Sequence, residues 1–508
     1  MNRKHLFLFV FIIFILYFRV LFWQGTYLDD HLLVFDREDF FCDASNINKI
    51  FSEPAFGKKL DIPYYRPILN LTFMIECHIR KILPINYHLF NILLHITSAY
   101  FLFSLLLKMK YEYNKAFLFT LLFSLHPMLT QSVAWIPGRG ETILTIFILL
   151  SFAEFINLME RPNYKSFCLH LLFFLLSLFS KENAVVMPLI TAFYFYFIKK
   201  DKIFYKVLIS YFPIILIWHY MRLYAIGGND FNYFKMFTGI FSNFKMIFYY
   251  LDKIILPLNL SAYPYKVKVN YIPGLVLMVL SFFILFKIER KPYFFIGAIW
   301  FLLFILPPIS ITKDGFFEHR IYLPLIGIIF MFINLKLDFN SKIALLFFLY
   351  LGIYSFLSYN SISRFKNPES LWQNVISTSS EYINGYLNLS SVYIQNNDLT
   401  KASEILKKAI KVNGDIGLIY YNLAIIDIKK KDYDKAEKNL LLSLSKDSSL
   451  TYSYFLLAYI YNEKKEYGKS GLYLEKLFAI DSSFLENNDF PLEYKKFIEK
   501  VKKRRKYE

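Results

Sequence analysis

Cysteine is scarce: 508 residues contain three, Cys42, Cys77 and Cys168. That is too few for a disulfide framework, and their spacing matches no zinc motif. Cys42 and Cys77 fall on the same expected outer side and could pair, but unpaired, small apolar residues are the expectation. The first long apolar run is not followed by a small-residue cleavage site, so it reads as a retained span and not a removed leader. Acid is also in short supply, 40 Asp and Glu against 58 Lys and Arg, a net charge of +18. An excess of base can mark a nucleic-acid partner. Here the bases sit in short loops between apolar runs, "KMKYEYNK", "ERPNYK", "KKDK" and "KIERK". That is the pattern of loops held on the cytoplasmic side next to anionic lipid, so no nucleic-acid partner is expected.

Apolar sequence is what the chain has in abundance. It is 56% hydrophobic and 20% aromatic, with a mean hydropathy of +0.37, a load typical of a polytopic membrane protein. "HLFLFVFIIFILYFRVLFW" (5–23) follows the basic "MNRK", which puts the N-terminus in the cytoplasm. Further spans are expected at 84–108, 115–136, 140–159, 164–180, 184–198, 204–226, 271–288, 293–311, 320–335 and 341–362, about 11 in all. Residues 24–83 then form a first outer loop. Within it 64–81, like 244–260 further on, reads as a helix lying along the interface.

Three segments, 381–414, 415–448 and 449–482, align without a gap at a period of 34, the tetratricopeptide length. Tyr386, Tyr420 and Tyr454 recur in register, as do Leu389, Leu423 and Leu457, and Leu406, Leu440 and Leu474. Ala402, Ala436 and Ser470 recur where paired helices must approach closely. The fold class expected is therefore all-α. A polytopic helical membrane domain (1–365) precedes a tetratricopeptide-repeat α-solenoid (366–482), with a capping helix and basic tail at 483–508.

Polar clusters interrupt the apolar half at span ends, where charge is costly unless used. One is Asp29-Asp30-His31. A second is "HPMLTQSVAWIPGRGET", with His126, Arg139 and Glu141. A third is Lys181-Glu182, and a fourth "DGFFEHRIYLP", with Glu318, His319, Arg320 and Tyr322. Arg66 in "YYRPIL" joins them on the outer side. Each has a plain structural reading. Asp29 or Asp30 can cap a helix, Arg139 can snorkel to headgroups, Lys181-Glu182 can be an interfacial ion pair, and His126 can close a helix end.

"YLDD", "YYRPILNLTF", "LHPMLTQSVAWIPGRGE", "FSKENAVVMPL" and "EHRIYLPLIG", in this order and followed by 34-residue repeats, resemble the transmembrane and tetratricopeptide-repeat O-mannosyltransferases and their bacterial relatives. The resemblance implies a C-type glycosyltransferase fold. It also implies a polyprenyl-phosphate monosaccharide donor and inverting transfer to an acceptor hydroxyl on the non-cytoplasmic face. By that resemblance Asp29 or Asp30 is the general base, Asp30 being preferred. Arg139, Lys181 and Arg320 hold the donor phosphate. Arg66, His126, Glu141, Glu182, Glu318, His319 and Tyr322 support them. No cofactor is implied; a divalent metal held by Glu141, Glu182 and Glu318 is the disfavoured alternative. The partners implied are membrane lipid, the lipid-linked donor, and a protein or glycan acceptor gripped by the repeats. The location implied is a bacterial plasma membrane, with the endoplasmic reticulum as the alternative. A non-enzymatic scaffold anchoring the repeats competes from another class, but it leaves the outer polar clusters without a use. A transporter would want ionisable residues deep within spans, and the conspicuous charges lie near span ends.

Overall fold

The computed structural model describes residues 3–24, 28–58, 62–80, 83–228, 233–266, 269, 271–311, 317–336, 341–413, 416–487, 491 and 494–505. Among these the chain is helical, with an isolated antiparallel bridge between Ile288 and Leu335. Two compact units result, Met1–Asn374 and Val375–Glu508. The boundary falls inside the helix Pro368–Thr378, nine residues beyond the expected one.

The first unit is a multi-pass membrane domain. Among the described residues six helices are long and apolar enough to cross a bilayer: His5–Phe22, Pro84–Lys108, Ile136–Glu160, Ile203–Ile226, Lys291–Ser310 and Leu345–Phe365. A seventh span arises if Tyr113–Ser124 and Pro127–Ala134, bent by 53° at their junction, count as one. Tyr164–Ser180 is a helix with the expected bounds. Three of the expected spans come out shorter, with helices at Met187–Phe197, Tyr271–Ile284 and Pro324–Phe332. Local chemistry sets some of these limits: Lys181 takes an extended backbone that ends one helix, and Pro188 and Pro324 mark the starts of two others. Where Lys291–Ile311 crosses Pro324–Phe332, Gly297 and Gly327 face each other. A Cβ on Gly297 would lie 2.5 Å from the Gly327 carbonyl oxygen, so only glycine permits the approach.

The stretch after the first span folds into short helices over the longer Pro67–Arg80, which supplies the helix expected within 64–81. Phe41, Phe73, Met74, Cys77 and Tyr87 share its core. This packing brings Cys42, at the end of Glu38–Phe41, beside Cys77, with Cα atoms 5.3 Å apart, and the two form a disulfide. The expectation of unpaired cysteines is thus corrected. Sequence spacing could not show that the two helices lie against each other. A disulfide belongs to an oxidising compartment, which agrees with the outer side assigned to this loop.

The second unit is a helical-repeat stack. Helix pairs Ile383–Gln395 and Leu399–Asn413, Gly417–Lys429 and Tyr433–Lys446, and Thr451–Glu463 and Tyr467–Ile480 repeat in register. Ala402, Ala436 and Ser470 are buried, as the close approach of paired helices demands. Asn397, Lys431 and Lys465 recur 34 residues apart with φ of 60 to 62°, so each inter-helix turn uses a left-handed residue. Lys495–Arg505 caps the stack through Phe497 and Val501, with Phe497 5.7 Å from the Phe455 ring. The end of the basic tail lies outside the described residues.

Candidate active site

Five stretches distant in sequence meet around one cavity of about 110 Å³. Asp29, Tyr64, Arg66, Trp135, Lys181, Glu182 and Asn183 line it, together with Pro308, Phe317, His319 and Arg320. A second cavity of about 60 Å³ shares six of these residues and adds Glu141, Gly138 and Gly140.

Local backbone rules aim each group. Leu28 has φ of +55°, a left-handed conformation disfavoured for a bulky residue, and it turns the chain immediately before Asp29. Asp29 then sits at the start of the short helix Asp30–Leu33 and reaches both cavities. Asp30 is fully buried in the first turn and lines neither. Of the two acids it is thus Asp29, and not the preferred Asp30, that lines the cavities. Arg66 precedes Pro67 and is held out of the helix that Pro67 begins. Its Nη2 donates to Glu182 Oε1 at 3.2 Å. Lys181, extended between two helical segments, pairs with Glu141.

Charges balance in pairs, Lys181 with Glu141 and Arg66 with Glu182. Among the described residues Arg320 has no carboxylate partner; its Nη1 donates to the Pro308 carbonyl at 3.0 Å. Burial raises the Asp29 carboxyl above its usual value, and the Arg66 charge draws it back. Burial would raise Glu182 as well, but Arg66 and Lys181 overcome it and hold that carboxyl at about 2. Burial lowers the Lys181 ammonium, with Glu141 opposing. A raised carboxylate, two paired cations and a third cation thus face one small volume.

The other expected residues lie elsewhere. Arg139 is fully buried, bonded to Glu76, to Asn91 Oδ1 at 2.7 Å and to the Tyr87 carbonyl at 3.0 Å. It holds the helix Pro67–Arg80 against the bundle and lines neither cavity, away from the other residues expected at the donor phosphate. In a helix, residues two apart point to nearly opposite faces, so Glu141 turns to the site while Arg139 turns away. Glu318 is also outside both cavities. It accepts from the Ser261 backbone at 2.7 Å and pairs with Arg364 at 3.1 Å, pinning the turn that carries His319 and Arg320. Tyr322 turns into the bundle, where its hydroxyl donates to His95 Nδ1 at 2.6 Å while His95 Nε2 donates to the Ser124 carbonyl at 3.0 Å. His126 bonds the Met128 backbone and the Ile254 carbonyl, a helix-end role. Trp135, Tyr64 and Phe317 are site residues that the sequence reading missed. Trp135 stood inside a quoted motif, but only its charged neighbours drew notice. Among the described residues no group of three or more His, Cys, Asp or Glu is arranged to hold a metal.

Comparison with known proteins agrees with the repeat unit. The tetratricopeptide repeat family matches residues 383–416 and 451–484. The chain is similar to protein O-mannosyl-transferase F38B6.6 of Caenorhabditis elegans, 28% identical over 145 residues that are 27% of this chain and 20% of that protein. It is similar to protein O-mannosyl-transferase TMTC3 of Homo sapiens, 28% identical over 159 residues, 30% of this chain and 17% of the other. Against human TMTC2 the identity is 34% over 104 residues, 20% of this chain and 12% of that protein. Each match thus spans a fifth or less of the relative's own length. Their names are those of the family that the motif order resembles.

Proposed function

We propose that this chain is a membrane glycosyltransferase that moves one sugar from a polyprenyl-phosphate carrier to an acceptor hydroxyl, with Asp29 as general base. The observation that carries the reading is the convergence of Asp29, Arg66, Lys181, His319 and Arg320 on one cavity from separate stretches of the membrane unit. The names of the relatives supply the reaction class.

The residues suit the chemistry. A hydroxyl is a weak nucleophile, and a carboxylate within reach takes its proton as the new bond to the anomeric carbon forms. The bond from that carbon to the phosphate oxygen breaks at the same time, and the leaving phosphate gathers negative charge. Arg320, assisted by Arg66 and Lys181, stabilises that charge at a boundary poor in water, where fixed cations act more strongly than in bulk solvent. Attack from the face opposite the leaving phosphate inverts the anomeric centre. The carboxylates Glu141 and Glu182 keep Lys181 and Arg66 in position between turnovers. The sugar in this reading is mannose, the acceptor a protein serine or threonine or a glycan, and no metal takes part. The site faces the non-cytoplasmic side of a bacterial plasma membrane, and the repeats bind the acceptor there. The test is incubation of the purified full-length chain with polyprenyl-phosphate [14C]mannose and peptide or glycan acceptors. Labelled product of inverted anomeric configuration supports the reading; no transfer to any acceptor, with donor intact, removes it.

A further inference from the structure

Two side chains that line the cavity carry nitrogens unexplained by phosphate or proton chemistry. Trp135 is 8% exposed, and its indole Nε1 is buried without a hydrogen-bond partner among the described residues. His319 is 9% exposed, and its Nδ1 is likewise buried and unpartnered. Both line both cavities, and their rings lie 5.5 Å apart at 56°. Buried polar groups in folded proteins are almost always paired, because an unmade hydrogen bond in low dielectric is expensive. Two such groups on neighbouring side chains of one cavity lining call for a ligand that satisfies them once it is seated there.

The backbone under these two side chains is well fixed. Asn91 Nδ2 donates to the Trp135 carbonyl at 3.0 Å, and Glu318 holds the turn that carries His319. The imidazole is also uncharged. Burial, and then the charges of Lys181, Arg320 and Arg66, push it well below its ordinary value. A neutral imidazole offers one donor and one lone pair, and an indole offers a donor only. A phosphate oxygen accepts without donating. A sugar hydroxyl does both, and it also presents C–H faces to aromatic rings, of which Trp135, Phe317 and Tyr64 supply three.

We infer that Trp135 and His319 read the hydroxyls of the transferred sugar, while the cations lining the same cavity read its phosphate. This rests on the transfer reading above and deepens it. The division makes a discrimination possible. A carrier lipid that has lost its sugar leaves Nε1 and Nδ1 unpaired on binding, so the pair favours loaded donor over spent carrier.

The experiment measures binding of polyprenyl-phosphate mannose and of sugar-free polyprenyl phosphate to the full-length protein in detergent. The proteins compared are wild type, Trp135→Phe, His319→Leu and His319→Gln, each checked for an unchanged thermal transition. Trp135→Phe keeps the ring and removes only the N–H, and His319→Gln keeps a donor and an acceptor. The expected result is about tenfold weaker binding of the mannosyl lipid by Trp135→Phe and by His319→Leu. The sugar-free lipid should bind all four proteins alike, and His319→Gln should recover part of the loss. Equal weakening for both lipids, or none for either, overturns the inference and leaves the transfer reading standing. Wild type that binds neither lipid overturns both.

Discussion

Replacing Arg66 by glutamine tests whether Asp29 works as a base within the field of this site. Asp29 is subject to two opposing influences, burial raising its carboxyl and the Arg66 charge lowering it. The substitution removes the second and keeps a hydrogen-bonding group of similar length. A nearby opposite charge favours the ionised carboxylate, so its loss should raise Asp29 further. The sign follows from the chemistry. The base acts only when deprotonated, so turnover falls as pH drops through the Asp29 value. That acid limb should therefore move to higher pH in Arg66→Gln and return most of the way in Arg66→Lys, which restores a charge. The assay is kcat against pH with saturating donor and acceptor. A lower plateau at high pH is expected too, because Arg66 also faces the leaving phosphate. An acid limb that stays put, or moves to lower pH, would refute the influence of the Arg66 charge on Asp29.

Three further outcomes follow from packing. Glu76→Ala strips a fully buried Arg139 of its carboxylate, and losing one partner of such a pair costs about 3 kcal/mol or more; a lowered unfolding transition in detergent checks it, with donor affinity of the folded fraction retained. Gly297→Ala forces a Cβ against the Gly327 carbonyl and should lower the thermal transition by separating the two helices; Ala at Gly352, which has open space around it, is the control. In the repeats, Asp432 accepts from the Lys435 backbone at 3.2 Å as a helix cap, whereas Glu466 at the equivalent place in the next repeat makes no such bond. Glu466→Asp should install the cap and stabilise the repeats by about 0.5–1 kcal/mol, read from a urea unfolding curve.

The sequence shows some of this directly and hides the rest for identifiable reasons. The repeats were legible because a period of 34 ties many positions together, and Ala402, Ala436 and Ser470 needed only their size to be placed. The spans were legible as apolar runs, but the short helix Pro324–Phe332 shows that apolar content does not fix length once proline sets the start. Arg66, Lys181, Glu182, His319 and Arg320 stood out because charge at a span end has few uses. Direction was what the sequence could not give. Nothing in "YLDD" reveals the left-handed turn at Leu28 that sends Asp29, and not Asp30, to the cavity. Arg139 looked like a phosphate ligand because Glu76, its partner, lies 63 residues away. The Cys42–Cys77 pairing likewise depends on two helices that meet only in the folded chain.

The most direct test of the central claim compares Asp29→Asn with Asp30→Asn in sugar transfer by the purified full-length protein. Loss of a general base should lower turnover of Asp29→Asn by about 10²–10⁴ while donor binding persists. Asp30→Asn, altered away from the cavity, should transfer at a rate much closer to wild type when folded. Transfer by Asp29→Asn at the wild-type rate would contradict the account.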